Sequence, residues 1–295
     1  MNKSITKTEI IKFEIVQIRN KGIPDDYHCN CKFCRKYLGE LIRADGTHYK
    51  RTDRKKYYDY KYEVKHFAKT PLHVARWAIQ NFSRSGDWVL DPTMGAGTTA
   101  VEAINHGRNA FGVEIQFIDV IEANIKKQSL IGHTSAPISK VIHEDARNIR
   151  KVIRNNFDKN HKFDLIVNNP PYSGDQTGEV NKKQNLYDKT LKNLAFAKEG
   201  PLYWDDMQDI YSGCTTFLKP GGFFVIAVKD MMRNKKPFML HKMFAKMMND
   251  IPDLRYVGMA LLLHYPTTLF LNTYPKRYGI EVPKYQTILV FQKEA

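Results

Sequence analysis

Cysteine is scarce in this chain: four residues in 295, three of them between Cys29 and Cys34. That count and clustering argue against a disulfide framework and lead us to expect a reduced, cytoplasmic setting. Long apolar runs are also missing. None reaches the length that crosses a bilayer, and the opening Met1-Asn-Lys-Ser-Ile-Thr-Lys lacks the apolar core of a signal peptide, so no membrane association is expected. Internal repeats and low-complexity tracts are absent too. Acidic residues are in the minority, 31 Asp+Glu against 46 Lys+Arg, a formal net charge of +15. A surplus of that size suits a polyanionic partner, most simply nucleic acid, or else a basic surface kept for solubility.

What is present is organised around Asp164-Leu-Ile-Val-Asn-Asn-Pro-Pro-Tyr172. The apolar run Leu165–Val167 reads as a short buried strand. It stops at Asn168-Asn169, and the two prolines that follow cannot continue a ladder and push Asn169 out of the helical region. In open α/β sheets, ligands bind just beyond the carboxyl ends of strands. There Asn169 offers an amide oxygen, Pro170 a carbonyl and Tyr172 a flat ring, the groups needed to hold a planar base by its amino group. An Asx turn capping a strand would use the same residues without any ligand.

Upstream, Leu72–Phe82 predicts a largely apolar helix with Pro71 near its first turn. Trp88–Asp91 reads as a buried strand, followed by the loop Pro92-Thr-Met-Gly95-Ala-Gly97-Thr98-Thr99 and a helix over Ala100–Ile104. Strand, glycine loop and helix make a nucleotide-binding arrangement, because glycine lets a ligand approach the backbone and the helix amino end is partly positive. No Lys stands where a phosphate loop requires one, and the third glycine of the dinucleotide fingerprint is missing. A ligand without phosphates, carrying a carboxylate, fits better. Ala110–Glu114 reads as a second strand ending in an acid that suits two ribose hydroxyls. A helix over Ile118–Lys127 leads to a third strand, Val141–Asp145, whose Asp145 could accept from an adenine amino group.

Residues 1–60 read as a basic amino-terminal extension. Three thiols and an imidazole, His28, Cys29, Cys31 and Cys34, lie within seven positions and form half of a tetrahedral zinc set, with His48 or His66 to complete it if His28 points away; free thiols are the alternative. From Lys50 to Lys65, Lys and Arg alternate with Tyr, a pattern for phosphates and stacked bases or for a solvated linker. Beyond Tyr172, residues 173–200 form a polar, lysine-rich candidate lid. Trp204–Phe217 predicts a helix stopped by Lys219-Pro-Gly-Gly222, and Phe223–Val228 an apolar strand. Met231–Lys246 reads as part loop and part helix. Tyr256–Leu263 and Tyr285–Phe291 read as closing strands, and the Tyr- and Lys-bearing segment 266–283 between them is a second candidate nucleic-acid surface. Cys214 reads as a core residue.

Asp91-Pro-Thr-Met-Gly-Ala-Gly-Thr-Thr99 resembles the cofactor motif of S-adenosylmethionine (SAM)-dependent DNA amino methyltransferases, and Asn169-Pro-Pro-Tyr172 resembles their catalytic motif. His66-Phe-Ala-Lys-Thr-Pro71 looks like the segment that packs over the methionine end of the cofactor. The resemblance implies a doubly wound, mostly parallel α/β sheet over residues 61–295. It assigns Lys69, Thr70, Pro71, Asp91, Pro92, Gly95, Gly97 and Thr98 to the methionine part of SAM, Glu114 to its ribose and Asp145 to its adenine. Asn169, Pro170, Pro171 and Tyr172 would hold the target base, with Asn169 also bordering the cofactor. The order here, cofactor motif before catalytic motif, is the reverse of the group whose cofactor motif this one most resembles. Asn at the head of the catalytic motif goes mostly with adenine N6 in that family, and Ser with cytosine N4. The expected activity is methylation of DNA at an exocyclic amino group, adenine N6 before cytosine N4, in the setting of restriction–modification. The alternatives are an RNA amino methyltransferase and a zinc-bearing nucleic-acid-binding module with an inactive domain.

Overall fold

A computed structural model describes residues 58–59, 70–130, 138–171, 194, 201–233, 236–263, 276–279, 283 and 285–294. In chain order the elements are α1 (Leu72–Phe82), β1 (Trp88–Asp91), α2 (Thr98–Asn105), β2 (Asn109–Glu114), α3 (Ile118–Leu130), β3 (Ser139–His143) and α4 (Ile149–Asn156). They continue with β4 (Phe163–Asn168), α5 (Pro201–Thr216), β5 (Leu218–Lys229), β6 (Met231–Arg233), β7 (Lys236–Phe238), α6 (Leu240–Asn249), β8 (Leu254–Leu263) and β9 (Tyr285–Lys293). Seven strands form one sheet in the order β3-β2-β1-β4-β5-β9-β8, and β6-β7 form a separate hairpin. β3 through β5 are parallel along that order, and β9 runs antiparallel to both β5 and β8. The fold is the doubly wound, mostly parallel α/β sheet that the sequence predicts.

The central strands are buried on both faces, which is why they read as unbroken apolar runs. Their pleat divides the core in two. Leu165, Val167, Val225 and Ala227 point to the face covered by α1, α2 and α3, where Val74, Ile79, Ala100 and Ile121 meet them. Ile166, Phe224, Ile226 and Val228 point the other way, into Ile149, Met207, Tyr211 and Phe244 of α4, α5 and α6. A buried ion pair ties α1 to α2: the Arg76 guanidinium donates to both oxygens of Glu102, and neither side chain is more than 4% exposed. Burial alone would raise the Glu102 carboxyl, but His106 and Arg76 together hold it below its ordinary value.

Several elements differ from the sequence reading. α4 is not anticipated; Ile149, Val152 and Ile153 form its one buried stripe, and five charged or amide side chains otherwise dominate its eight residues. β5 begins at Leu218, so Lys219–Gly222 end α5 but already belong to the strand, exposed at 219–221 and held at Gly221 in the left-handed region (φ 76°). β3 starts and ends earlier than expected, leaving Asp145 beyond it. The Met231–Lys246 stretch resolves into the β6-β7 hairpin and the start of α6. Tyr58, read as a base-stacking or solvated tyrosine, is fully buried against Leu72 and Val101. Its neighbour Asp59 donates its N–H to Asn124 on α3 at 2.8 Å. An aromatic ring belongs in water or on a base only if no apolar pocket is offered, and here α1 and α2 offer one.

Candidate functional site

Strand order reverses between β1 and β4: the chain goes from β1 to β2 and β3 on one side, then to β4 and β5 on the other. Such a switch point leaves a crevice beyond the carboxyl ends of the two central strands. Both motifs open there, one after Asp91 and the other after Asn168.

Asp91 ends β1 almost wholly buried, and both its oxygens serve the protein itself. Oδ2 accepts from the Thr99 hydroxyl at 2.6 Å, in the first turn of α2. Oδ1 accepts from the Thr93 N–H at 3.1 Å and the Asn168 amide at 2.9 Å. Burial pushes this carboxyl from 3.8 up to about 6, against the pull of those hydrogen bonds. The loop that follows bends back over β2, with the Met94 N–H on the Val113 carbonyl at 2.9 Å. It passes Gly95 (φ 58°) and Gly97 (φ 76°), conformations that glycine adopts without strain. Gly112 makes room for it: a Cβ there would stand 2.6 Å from the Asp91 carbonyl and 2.1 Å from the Met94 methyl.

Glu114 closes the loop from the end of β2. Its Oε2 accepts from the Gly95 N–H at 2.7 Å, and its Oε1 from the N–H groups of Gln116 at 2.9 Å and Phe117 at 3.3 Å. Burial raises its pKa, backbone hydrogen bonds oppose that, and the nearby Asp91 adds to the rise. Asp145 caps a short turn, accepting from the Arg147 backbone at 3.0 Å and from its guanidinium, which also reaches Asp206 on α5 at 3.3 Å. An adenine amino group would therefore share or compete for oxygens that Arg147 already holds.

On the other side of the crevice, the Asn169 amide nitrogen donates to the Thr70 hydroxyl at 3.2 Å, joining the catalytic motif to the segment before α1. The Asn169 Oδ1 is buried and, among the described residues, accepts no hydrogen bond. Pro170 is buried, and the Pro171 carbonyl accepts from the Tyr203 hydroxyl at 2.7 Å. Thr98 is buried at the start of α2, where its carbonyl faces the Tyr58 hydroxyl at 3.5 Å. Pro71 caps the amino end of α1, and Pro92 lies buried after Asp91. Lys69, Tyr172, His28, Cys29, Cys31 and Cys34 lie outside the described residues. Among those that are described, no group of three or more His, Cys, Asp or Glu could hold a metal ion. Cys214 is buried, its thiol pushed well up by burial, as suits an inert core residue.

A DNA methylase family matches residues 21–121, and a second family, described as an RMKL-like methyltransferase domain, matches residues 78–200. The Type II methyltransferase M.MthZI of Methanothermobacter thermautotrophicus is 34% identical over 105 residues, 35% of this chain and 29% of that one. The Type II methyltransferase M.BglI of Bacillus subtilis is 40% identical over 63 residues, 21% of this chain and 18% of that one. Over these stretches the chain is similar to DNA amino methyltransferases. It spans less than a third of the length of these curated relatives. Among solved structures, TrmN from Thermus thermophilus is 15% identical, covering 75% of this chain and 48% of that one at a TM-score of 0.45. The N-methyltransferase NodS from Bradyrhizobium japonicum is 12% identical, covering 75% and 93% at a TM-score of 0.43. Neither is close enough to bear on what this chain acts upon.

Asp91, Glu114 and Asn168 end β1, β2 and β4, while Asp145 lies beyond β3; the groups that support these positions do not show in the sequence. Thr93, Gly112, Asn168, Tyr203 and Tyr211 all shape the site, and only the tertiary structure brings them to it. The doubled Asn168-Asn169 is the one visible hint, since a buried strand has no ordinary use for a second amide.

Proposed function

We propose that this protein transfers the methyl group of SAM to an exocyclic amino nitrogen of DNA, adenine N6 in preference to cytosine N4. The observation that supports this reading most directly is the buried Asn169 Oδ1, which accepts no hydrogen bond among the described residues. A buried acceptor left without a donor costs roughly 1–3 kcal/mol, and at the mouth of this crevice a ligand N–H would recover that cost.

The crevice fits SAM on its own features: left-handed Gly95 and Gly97, the acid Glu114 at the end of the second strand, and no lysine placed for a phosphate. Gly95–Gly97 and Asp91 would lie along the methionine part and Glu114 at the ribose. Bound there, SAM supplies a methyl group activated by its positive sulfur. The acceptor side falls to the chain's own residues. An exocyclic amino nitrogen is a poor nucleophile, because its lone pair is delocalised into the ring. The Asn169 oxygen and the Pro170 carbonyl, accepting its two N–H groups, favour the tetrahedral nitrogen that develops as the methyl arrives, a preorganised electrostatic effect. The nitrogen's lone pair would form the new bond to the methyl carbon as the carbon–sulfur bond breaks, the sulfur keeping that bond's electrons, and the nitrogen would release its extra proton to solvent. In duplex DNA the base must leave the stack, at a cost of a few kcal/mol, and stacking on Tyr172 would return about 1–3 kcal/mol.

Asn169 at the head of the motif favours adenine through the family resemblance; the loop chemistry alone serves either base. The test is incubation of the purified protein with labelled SAM and DNA, followed by mass spectrometry of the digested nucleosides. N6-methyladenine is the expected product. Label only on cytosine would move the substrate to cytosine N4, and label only when RNA is supplied would replace DNA by RNA.

A further inference from the structure

We infer that Tyr211, Tyr203 and Asn168 form a positioning clamp that sets the distance between the glycine loop and the catalytic loop. The inference rests on the reading above, that a methyl donor lies on the first loop and the acceptor base on the second. Asn168 is the last residue of β4 and fully buried. Its amide nitrogen donates to Asp91 Oδ1 at 2.9 Å and to the Thr93 hydroxyl at 2.7 Å, both on the glycine-loop side. Its oxygen accepts from the Tyr211 hydroxyl of α5 at 2.6 Å. One amide thus uses its N–H groups to bolt β4 to the end of β1 and its oxygen to bolt β4 to α5.

Tyr211 fixes which way that amide faces. A phenol that donates must meet the oxygen, so the nitrogen is left for Asp91 and Thr93. The alternative orientation would set the amide oxygen against the Asp91 carboxylate. Tyr203 lies eight residues before Tyr211 on α5, a little over two turns and on the same face. Its hydroxyl holds the Pro171 carbonyl at 2.7 Å. The two tyrosines therefore grip the chain on either side of Asn169-Pro170, the pair offered to the base. Both are nearly or fully buried, and Tyr211 packs edge-on against Phe224 at 4.9 Å between centroids.

A clamp of this kind acts through distance. Reacting atoms must sit about 3–3.5 Å apart, and a misplacement of about 1 Å can cost roughly a hundredfold in rate. Loosening it should lower kcat and spare the binding of either partner.

The experiment compares Tyr211→Phe, Tyr203→Phe and Asn168→Asp with the wild-type full chain. It follows DNA methylation, SAM affinity by calorimetry and thermal unfolding. Tyr211→Phe keeps the ring against Phe224 and removes only the hydroxyl. Its kcat should fall about tenfold or more, while the SAM dissociation constant and the KM for DNA stay within about threefold. Asn168→Asp brings a second carboxyl against Asp91, so its activity should recover as pH falls and one proton is shared, a profile the wild type lacks. A Tyr211→Phe protein with wild-type kcat, or one whose loss of rate tracks its unfolded fraction, would overturn the clamp. So would an Asn168→Asp variant with the wild-type pH profile. A wild type that methylates no amino group would instead overturn the functional reading, and the clamp with it.

Discussion

Asp91 should make the protein's stability depend on pH in a direction opposite to that of an ordinary surface carboxylate. Its side chain is buried, and its oxygens meet Thr99, Thr93 and Asn168, with no cation opposite them among the described residues. Burial lifts its pKa from 3.8 to about 6, so between those values the folded chain holds a proton that the unfolded chain has lost. Stability then falls as pH rises, because the native state binds more protons than the unfolded one. The contribution of the neutral carboxyl is complete below about pH 4 and gone above about pH 6; a span of that width amounts to about 3 kcal/mol. Asp91→Asn removes the titration and keeps the shape. Its stability relative to wild type should therefore climb by about 3 kcal/mol from pH 4 to pH 7. Any hydrogen-bond defect in the variant adds an offset that does not change with pH. Glu114 also titrates high, but chiefly through its own burial, so it largely cancels between the two proteins. Urea denaturation at half-unit pH intervals reads the difference. A gap between variant and wild type that stays flat across this range would refute the argument that burial, and not hydrogen bonding, governs Asp91.

The same carboxyl predicts a proton linkage in cofactor binding: SAM carries net positive charge and favours the ionised form, so affinity should rise between about pH 5 and 7 with release of a proton. Calorimetry in buffers of different ionisation enthalpy measures that proton. Gly112→Ala should destabilise by about 1–3 kcal/mol and weaken SAM binding, because its Cβ meets the Asp91 carbonyl at 2.6 Å and backbone cannot step aside as Met94 can. Arg76→Ala leaves Glu102 charged and buried between α1 and α2, and should cost about 3–5 kcal/mol by chemical denaturation. Asn169→Ala should lower kcat by about a hundredfold or more, with SAM affinity near normal, as single-turnover methylation and calorimetry will report.

Much of the fold was legible because local and global signals agree. Leu72–Phe82 and Trp88–Asp91 match the structure residue for residue, since the one is a helix begun at a proline and the other a strand buried on both faces. The failures have physical causes. α4 buries only Ile149, Val152 and Ile153, a stripe so narrow that Arg150, Lys151, Arg154 and two asparagines hide it. Lys219-Pro-Gly-Gly222 carries the chemistry of a turn, yet β5 runs through it, because its exposed residues sit at the margin of the sheet. Tyr58 fell in a run of Lys, Arg and Tyr that reads as solvated, and only the meeting of α1 and α2 gives its ring somewhere dry to go.

The site divides along the same line. The residues proposed to meet a ligand sit in contiguous motifs, because a glycine loop or a proline turn is made by neighbours in sequence. Residues that hold those motifs apart are recruited across long separations: Asn168 lies 77 positions from Asp91 and 43 from Tyr211. Nothing local marks either tyrosine, since on the buried face of α5 a Tyr is as ordinary as a Phe. Their hydroxyls become informative only when the partner is known, because a buried phenol needs an acceptor and each finds one on the catalytic loop. A motif search therefore reports which groups touch the ligands, and a pair such as Tyr211 and Asn168 decides how far apart they stand. Substitutions that preserve both motifs should still slow methyl transfer, and Tyr211→Phe is the smallest of them: one oxygen, with the ring left in place against Phe224.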